Sequence, residues 1–149
     1  MSGHLVPGVL ETIEAFGETT LIVDPAQIVA VCRHFRDNEK YTRISAITAV
    51  DWHPAEPRFE VVYHLHSIVN RGKRLRLKCR VSGAAPEIES VYSVWRGADW
   101  YEREVFDMFG IVFRNHPNLT RILMPVDWEG YPLRKDYPVH GYKYSYQSE

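Results

Sequence analysis

The 149 residues are poor in the features that carry chemistry. Only two cysteines occur, Cys32 and Cys79, far apart, with no C-x-x-C pair and too few neighbouring His or Cys residues to complete a ligand set. That excludes a cysteine-held iron–sulfur cluster and suits two buried thiols in a reducing compartment. There is no glycine-rich phosphate loop, no G-x-G-x-x-G and no G-x-S-x-G, so a P-loop, a dinucleotide fold and a nucleophilic serine elbow have no support. No run approaches the roughly 18 apolar residues of a membrane-spanning helix; the best candidate, "ISAITAV", is strand-length and carries Ser45 and Thr48. An excess of either charge is also missing. With 18 Lys and Arg against 19 Asp and Glu, the formal net charge is -1, so no global field favours nucleic acid or a polycation. The N-terminal "MSGHLVPGVLETIEAFG" has no basic segment followed by an apolar run and is not a secretory signal. The expectation is a soluble, cytoplasmic chain whose contact with any membrane is made through partners.

What is present is enough for an ordinary core: 45% of the residues are hydrophobic and 25% charged. "PGVLETIEAFG" places Val9, Leu10, Ile13 and Phe16 at helical spacing and predicts a short first helix ending at Gly17. "TTLIV" reads as a buried strand. "DPAQIVAVCRHFRDN" predicts a second helix, with Asp24 as N-cap, Pro25 in the first helical position, and Ile28, Val31, Cys32 and Phe35 on one face. "RISAITAVDW" and "FEVVYHLHSIV" are strands separated by the proline-rich "HPAEP". After the turn "NRGK", "RLRLKCRV" alternates strictly: Leu75, Leu77, Cys79 and Val81 face the core, and Arg74, Arg76, Lys78 and Arg80 face outward. "EIESVYSVW" reads as one more strand. The fold class is therefore α+β, a small and mainly antiparallel sheet with helices packed on one side, followed by an extended C-terminal tail.

The outward cations of "RLRLKCRV" are consistent with phosphate contact. The aromatic platform expected for single-stranded nucleic acid is missing, however, so a solvated face or an acidic protein partner fits better and nucleic acid is not expected. His64 and His66 share a face of the preceding strand, but a zinc site needs three or four ligands, and no metal is expected. No acids and histidines form a recognised catalytic set.

The last third is the most informative. In "GADWYEREVFDMFG", Asp99 as N-cap, Glu102 three residues on and a terminal Gly110 mark a helix from Asp99 to Phe109. Arg103 and Asp107 are spaced to pair along it. Beyond it, "IVFRNHPNLTRILMPVDWEGYPLRKDYP" carries Pro117, Pro125, Pro132 and Pro138, which rule out a long helix or a central strand. The expected division is an α+β domain over residues 1–110 and an extended docking tail over 111–149. Rich in Trp128, Tyr137 and other aromatics, with arginines, the tail has an interface composition, and its own contacts are expected not to offset its ordering entropy.

"EREVFDMFGIVFRNHPNLTRIL" and the following "MPVDWEGYPLRKDYP" resemble the thirty-kilodalton subunit family of respiratory complex I, called the C subunit in bacteria. The resemblance is specific over Trp100 to Pro138. By position, Glu102, Arg103, Glu104, Asp107, His116, Arg121, Leu133, Arg134, Lys135, Asp136 and Pro138 fall on the family's characteristic residues. Thr120 departs from the basic residue or proline expected before Arg121. The resemblance implies a stand-alone, non-catalytic peripheral-arm subunit of NADH:quinone oxidoreductase on the cytoplasmic side of the inner membrane. It would bind no cofactor itself, leaving FMN, iron–sulfur clusters and quinone to other subunits. It would brace chiefly the large quinone-site subunit, the D subunit, in an enzyme that couples electron transfer to proton translocation. The partner contacts it implies are Glu102, Arg103, Glu104, Asp107, His116, Arg121, Trp128, Leu133, Arg134, Lys135, Asp136 and Tyr137. Equivalent subunits of membrane-bound hydrogenases and F420 dehydrogenases are the alternative.

Overall fold

The computed structural model describes residues 6–138. The strands β1 (Val9–Ala15), β2 (Glu18–Val23), β3 (Arg43–Asp51), β4 (Phe59–Ser67) and β5 (Lys73–Val81) form one sheet in the order β1-β2-β5-β4-β3. Only the β2–β5 pairing is parallel; β1–β2, β3–β4 and β4–β5 are antiparallel. The alternation of β5 sets the sheet's two faces. Its Leu75, Leu77, Cys79 and Val81 stand opposite Leu65, Tyr63, Val61 and Phe59 of β4, and all eight are buried. Both thiols, Cys32 and Cys79, are free and buried, and burial raises their pKa far enough to keep them protonated and unreactive.

Helix α1 (Ile28–Asp37) follows a 3-10 turn, Pro25–Gln27, that Asp24 caps by accepting from the Ala26 N–H at 3.0 Å. It buries Ile28, Val31, Cys32 and Phe35, the expected face. Helix α2 (Ala98–Phe109) buries Ala98, Val105 and Phe109 in the same core cluster, so both helices cover one side of the sheet. A second, two-stranded sheet pairs β6 (Glu87–Glu89) and β7 (Val112–Arg114) in parallel. Its Ile88 and Phe113, with Ile111, join that core.

Several expectations need correcting. Residues 7–17 are not a helix. Val9–Ala15 is an edge strand whose side chains are mostly exposed, so burial leaves no period-two signature, and its apolar positions imitate helical spacing. Phe16 (φ 55°) and Gly17 (φ 76°) form a two-residue hairpin turn of the kind that needs positive φ at both positions. "EIESVYSVW" is a strand only over Glu87–Glu89; the chain then turns, with the Val94 and Trp95 N–H groups donating to the Val91 carbonyl. The α2 N-cap is Gly97 with no side-chain cap, and Asp99 lies inside the first turn. Gly110, left-handed at φ 79°, ends the helix as expected. Because Ile111 and Phe113 are core residues, the body runs through β7 rather than ending at residue 110. Residues 115–138 contain no helix or strand; the remainder of the expected tail, 139–149, lies outside the described residues.

Candidate partner-binding site on helix α2 and the C-terminal strap

Helix α2 holds two carboxylates that are fully buried, Glu102 and Asp107, each at 0% exposure. A buried carboxylate must find donors. Glu102 turns away from the strap: its Oε1 accepts from the Ser90 hydroxyl at 2.6 Å and its Oε2 from the Val91 N–H at 2.8 Å. It fastens the turn after β6 and does not close a capping box with Asp99. Burial pushes its carboxyl up to about 7, with Asp99 adding to the rise while the Ser90 and Val91 hydrogen bonds oppose it. His116, whose side chain is also fully buried, places Nε2 2.9 Å from Asp99 Oδ1 and 4.0 Å from Glu102 Oε1. Its Nδ1 accepts from the Asn118 N–H at 3.0 Å, which leaves Nε2 as the protonated nitrogen facing the acids.

Asp107 faces the strap. Its Oδ2 accepts from three successive backbone N–H groups, those of Ile122 (3.1 Å), Leu123 (2.6 Å) and Met124 (2.9 Å). Arg121 Nε stands 3.1 Å from Oδ1, an ion-pair approach that is too poorly aligned to count as a hydrogen bond. The same guanidinium donates through Nη2 to the Gly130 carbonyl at 2.6 Å and through Nη1 to the Trp128 carbonyl at 3.2 Å, and lies 4.9 Å from the Tyr131 ring centre. One carboxylate and one guanidinium thus tie residues 121–130 to the helix.

The second half of the strap, "YPLRKDYP", is fastened to the far end of β3 and to the end of α2. The Leu133 N–H donates to the Met108 carbonyl at 3.0 Å, and Arg134 Nε donates to the Phe109 carbonyl at 2.6 Å. The Arg134 guanidinium lies between the rings of Phe59 (5.1 Å) and Tyr131 (4.8 Å). At Gly110 a Cβ would fall 2.7 Å from Tyr131 and from Arg134, so glycine there serves both the left-handed backbone and the close approach of the strap. The Lys135 N–H donates to Asp51 Oδ2 at 2.7 Å. Arg58 bridges Asp51 and Asp136, each at 2.8 Å. Burial alone would raise the Asp51 carboxyl, but Arg58 and the Lys135 and His53 N–H groups hold it well below the usual carboxylate range. Trp128 Nε1 donates to the Tyr137 hydroxyl at 3.0 Å, closing the strap on itself.

The residues singled out from sequence therefore divide. Glu102, Asp107 and His116 are sealed inside the chain and are corrected from partner contacts to internal fasteners. Arg121, Trp128, Arg134, Asp136 and Tyr137 have intrachain partners, and Lys135 is held by its backbone. Arg103 does not pair with Asp107; it donates to the carbonyl (3.2 Å) and hydroxyl (3.0 Å) of Thr120, the departing position. Glu104 is half-buried, and the Leu133 side chain is exposed. The expectation that the strap lacks sufficient contacts of its own also changes for residues up to 138, because its backbone donors and carbonyls are met by charged groups of the body. Sequence reasoning does not reach Asp51, Arg58, Ser90, Tyr131 or Thr120 as fasteners. The one signal for Asp51 is a carboxylate ending an apolar strand at an inward position.

Chemically this arrangement is a clasp. Among the described residues no group of three or more His, Cys, Asp or Glu is placed to hold a metal ion. What the clasp presents outward is Trp100, Leu123, Val126 and Leu133, all exposed.

This chain, a mixed sheet covered on one face by two helices and followed by the strap, matches a known family. The family model described as "Respiratory-chain NADH dehydrogenase, 30 Kd subunit" matches residues 21–143, and the chain belongs to that family. It is 49% identical over 132 residues to the NADH-quinone oxidoreductase C subunit of Citrifermentans bemidjiense, covering 89% of this chain and 81% of that one. It is also 49% identical over 141 residues to the corresponding C subunit of Roseiflexus castenholzii, covering 93% and 80%. Among solved structures, a trypsin-resistant fragment of Nqo5 aligns with a TM-score of 0.65 at 28% identity, covering 71% of this chain and 86% of that one. A chain of an archaeal membrane-bound sulfane sulfur reductase aligns with a TM-score of 0.72 at 28% identity, covering 97% and 88%.

Proposed function

We propose that the chain is the C subunit of an NADH:quinone oxidoreductase and acts there as a non-catalytic brace in the peripheral arm. In this reading it sits on the cytoplasmic side of the inner membrane, against the large quinone-site D subunit. FMN, the iron–sulfur clusters and quinone are held by other subunits, which carry electrons from NADH and couple the transfer to proton translocation. No helix among the described residues is long and apolar enough to cross a membrane, and the attachment proposed here runs through the other subunits. The relatives named as C subunits support the assignment to this enzyme.

The observation that carries the bracing role is the clasp itself. Asp107, Arg121, Arg134 and Asp51 fix an aperiodic segment in one shape, and that shape sets Leu123, Val126 and Leu133 on the outside, while Trp100 of α2 is also exposed. A surface ordered before binding loses less entropy on association than a free tail. Exposed aromatic and aliphatic side chains rimmed by charge have the composition of an interface centre.

The test is affinity purification of the tagged chain from its native membranes in mild detergent, with the co-purifying proteins identified and NADH:quinone activity assayed. An active assembly containing the quinone-site subunit is the expected result, with loss of that subunit in a Leu123→Glu/Leu133→Glu variant. Recovery of the chain without partners would overturn the proposal.

A further inference from the structure

The surface farthest from the clasp in the sheet order carries a second, independent feature. β1 is an edge of the sheet, and among the described residues it pairs only with β2, so one side of its backbone hydrogen-bonding groups is open. The opposite edge, β3, packs against α2 and runs out into the loop containing Pro54 and Pro57. Among the described residues β1 has no such cover: six of its seven residues are exposed, including Leu10 and Ile13. At its end Phe16 is 103% exposed and takes φ 55°. Asn or Gly suits that turn position, whereas phenylalanine there is disfavoured by its backbone and gains nothing from burial within the chain. A bulky aromatic that is strained and fully hydrated is suited to a contact outside its own chain.

The edge also has a sign. Between Val9 and Val23 there are three glutamates, Glu11, Glu14 and Glu18, and no cation. Glu18 is engaged by Arg76 at 2.8 Å. Glu11 and Glu14, an odd number of residues apart on a regular stretch of strand, project to opposite faces. Pairing β1 with a second copy of itself would bring like charges across the strands, which is unfavourable; a strand carrying Lys or Arg meets a carboxylate on either face.

We propose that β1 is a site of strand addition, taking an extended basic segment of a partner subunit along its open edge with Phe16 as the anchor at the tip. This rests on the reading that the chain works inside a multi-subunit assembly.

The test replaces Phe16 with the photo-crosslinker p-benzoylphenylalanine in the chain expressed in its native membranes, followed by purification and irradiation of the intact complex. The expected product joins position 16 to a partner-subunit segment bearing Lys or Arg at alternate positions. An intact assembly with no crosslink, or with one to a second copy, to lipid or to an acidic segment, overturns the strand-addition site and leaves the assembly reading standing. Failure to recover any assembly overturns both. In parallel, Phe16→Asn, in competition with the wild-type chain, is expected to enter the complex about tenfold less, as for an interface anchor, while the thermal midpoint of the isolated chain is unchanged or raised. A lowered midpoint with unchanged incorporation would make Phe16 a structural residue and refute the proposal.

Discussion

The sheet and the strap are held by different kinds of contact. In the sheet, Phe59, Val61, Tyr63 and Leu65 meet Leu75, Leu77, Cys79 and Val81 across a register of regular pairs, and stability is spread over many small increments of buried area. In the strap, a few charged groups each hold several backbone atoms; Asp107 alone receives three N–H groups and faces Arg121. The difference teaches where local and global failure should part. A cavity in the sheet weakens the whole domain together, whereas removing one fastener can free the strap while the sheet stays folded.

The largest expected effect is Asp107→Ala, which strands a mostly buried guanidinium and three amide donors. It should destabilise by about 3–5 kcal/mol and open the chain to protease between residues 115 and 138. Leu77→Ala is its counterpart in the sheet: about 2–5 kcal/mol lost, with no selective cleavage of the strap. Denaturant unfolding together with limited proteolysis distinguishes the two patterns, and identical cleavage in both variants would erase the comparison.

Next is Glu102, the buried carboxylate held by a hydroxyl and an amide. Its folded pKa of about 7 lies above the ordinary value of 4.5, so the unfolded chain ionises first. Stability therefore falls as pH rises from about 4.5 to about 7 and levels off above; the full span is about 3 kcal/mol. Glu102→Gln can keep the Val91 and Ser90 hydrogen bonds without the charge, and should flatten this pH dependence and be the more stable form at pH 8. An unchanged pH profile by thermal unfolding would contradict the assignment.

Asp51→Ala should cost about 2 kcal/mol, in the range for hydrogen bonds to charged groups, because Arg58 retains Asp136 on the exposed side. Loss of protection at the Lys135 amide should accompany it. The smallest effect is Arg134→Lys, which removes a planar group from between Phe59 and Tyr131 and should lower stability by about 1 kcal/mol, measurable as a shift in denaturant midpoint.

The same division explains what can be read from residues alone. The alternation of Leu75 to Val81, the Asp24–Pro25 start of the 3-10 turn that leads into α1 and the Gly110 stop of α2 are local signals, and the structure follows them. The Val9–Ala15 strand reads as a helix because an exposed edge has no buried face to impose a period. The strap is recognisable as aperiodic and important, but not as self-held, because its partners are backbone donors and carbonyls, which leave no pattern in the side-chain order. Asp51 and Arg58 illustrate the difficulty: seven residues apart, they pair with each other, but Arg58 meets Asp136 and Asp51 meets the Lys135 amide only after the chain has crossed the whole fold. Glu102 has the spacing of a helix-start acid, and only the packing of the Ser90–Val91 turn against α2 turns it inward.

The most direct test of the central claim is amide hydrogen exchange on the isolated, partner-free chain at Ile122, Leu123, Met124 and Lys135. The clasp predicts strong protection at these four amides, lost at Ile122 to Met124 in Asp107→Ala and at Lys135 in Asp51→Ala. Exchange at the rate of an unfolded chain, with protection gained only inside an assembly, would show that the strap is ordered by its partner and not by its own domain.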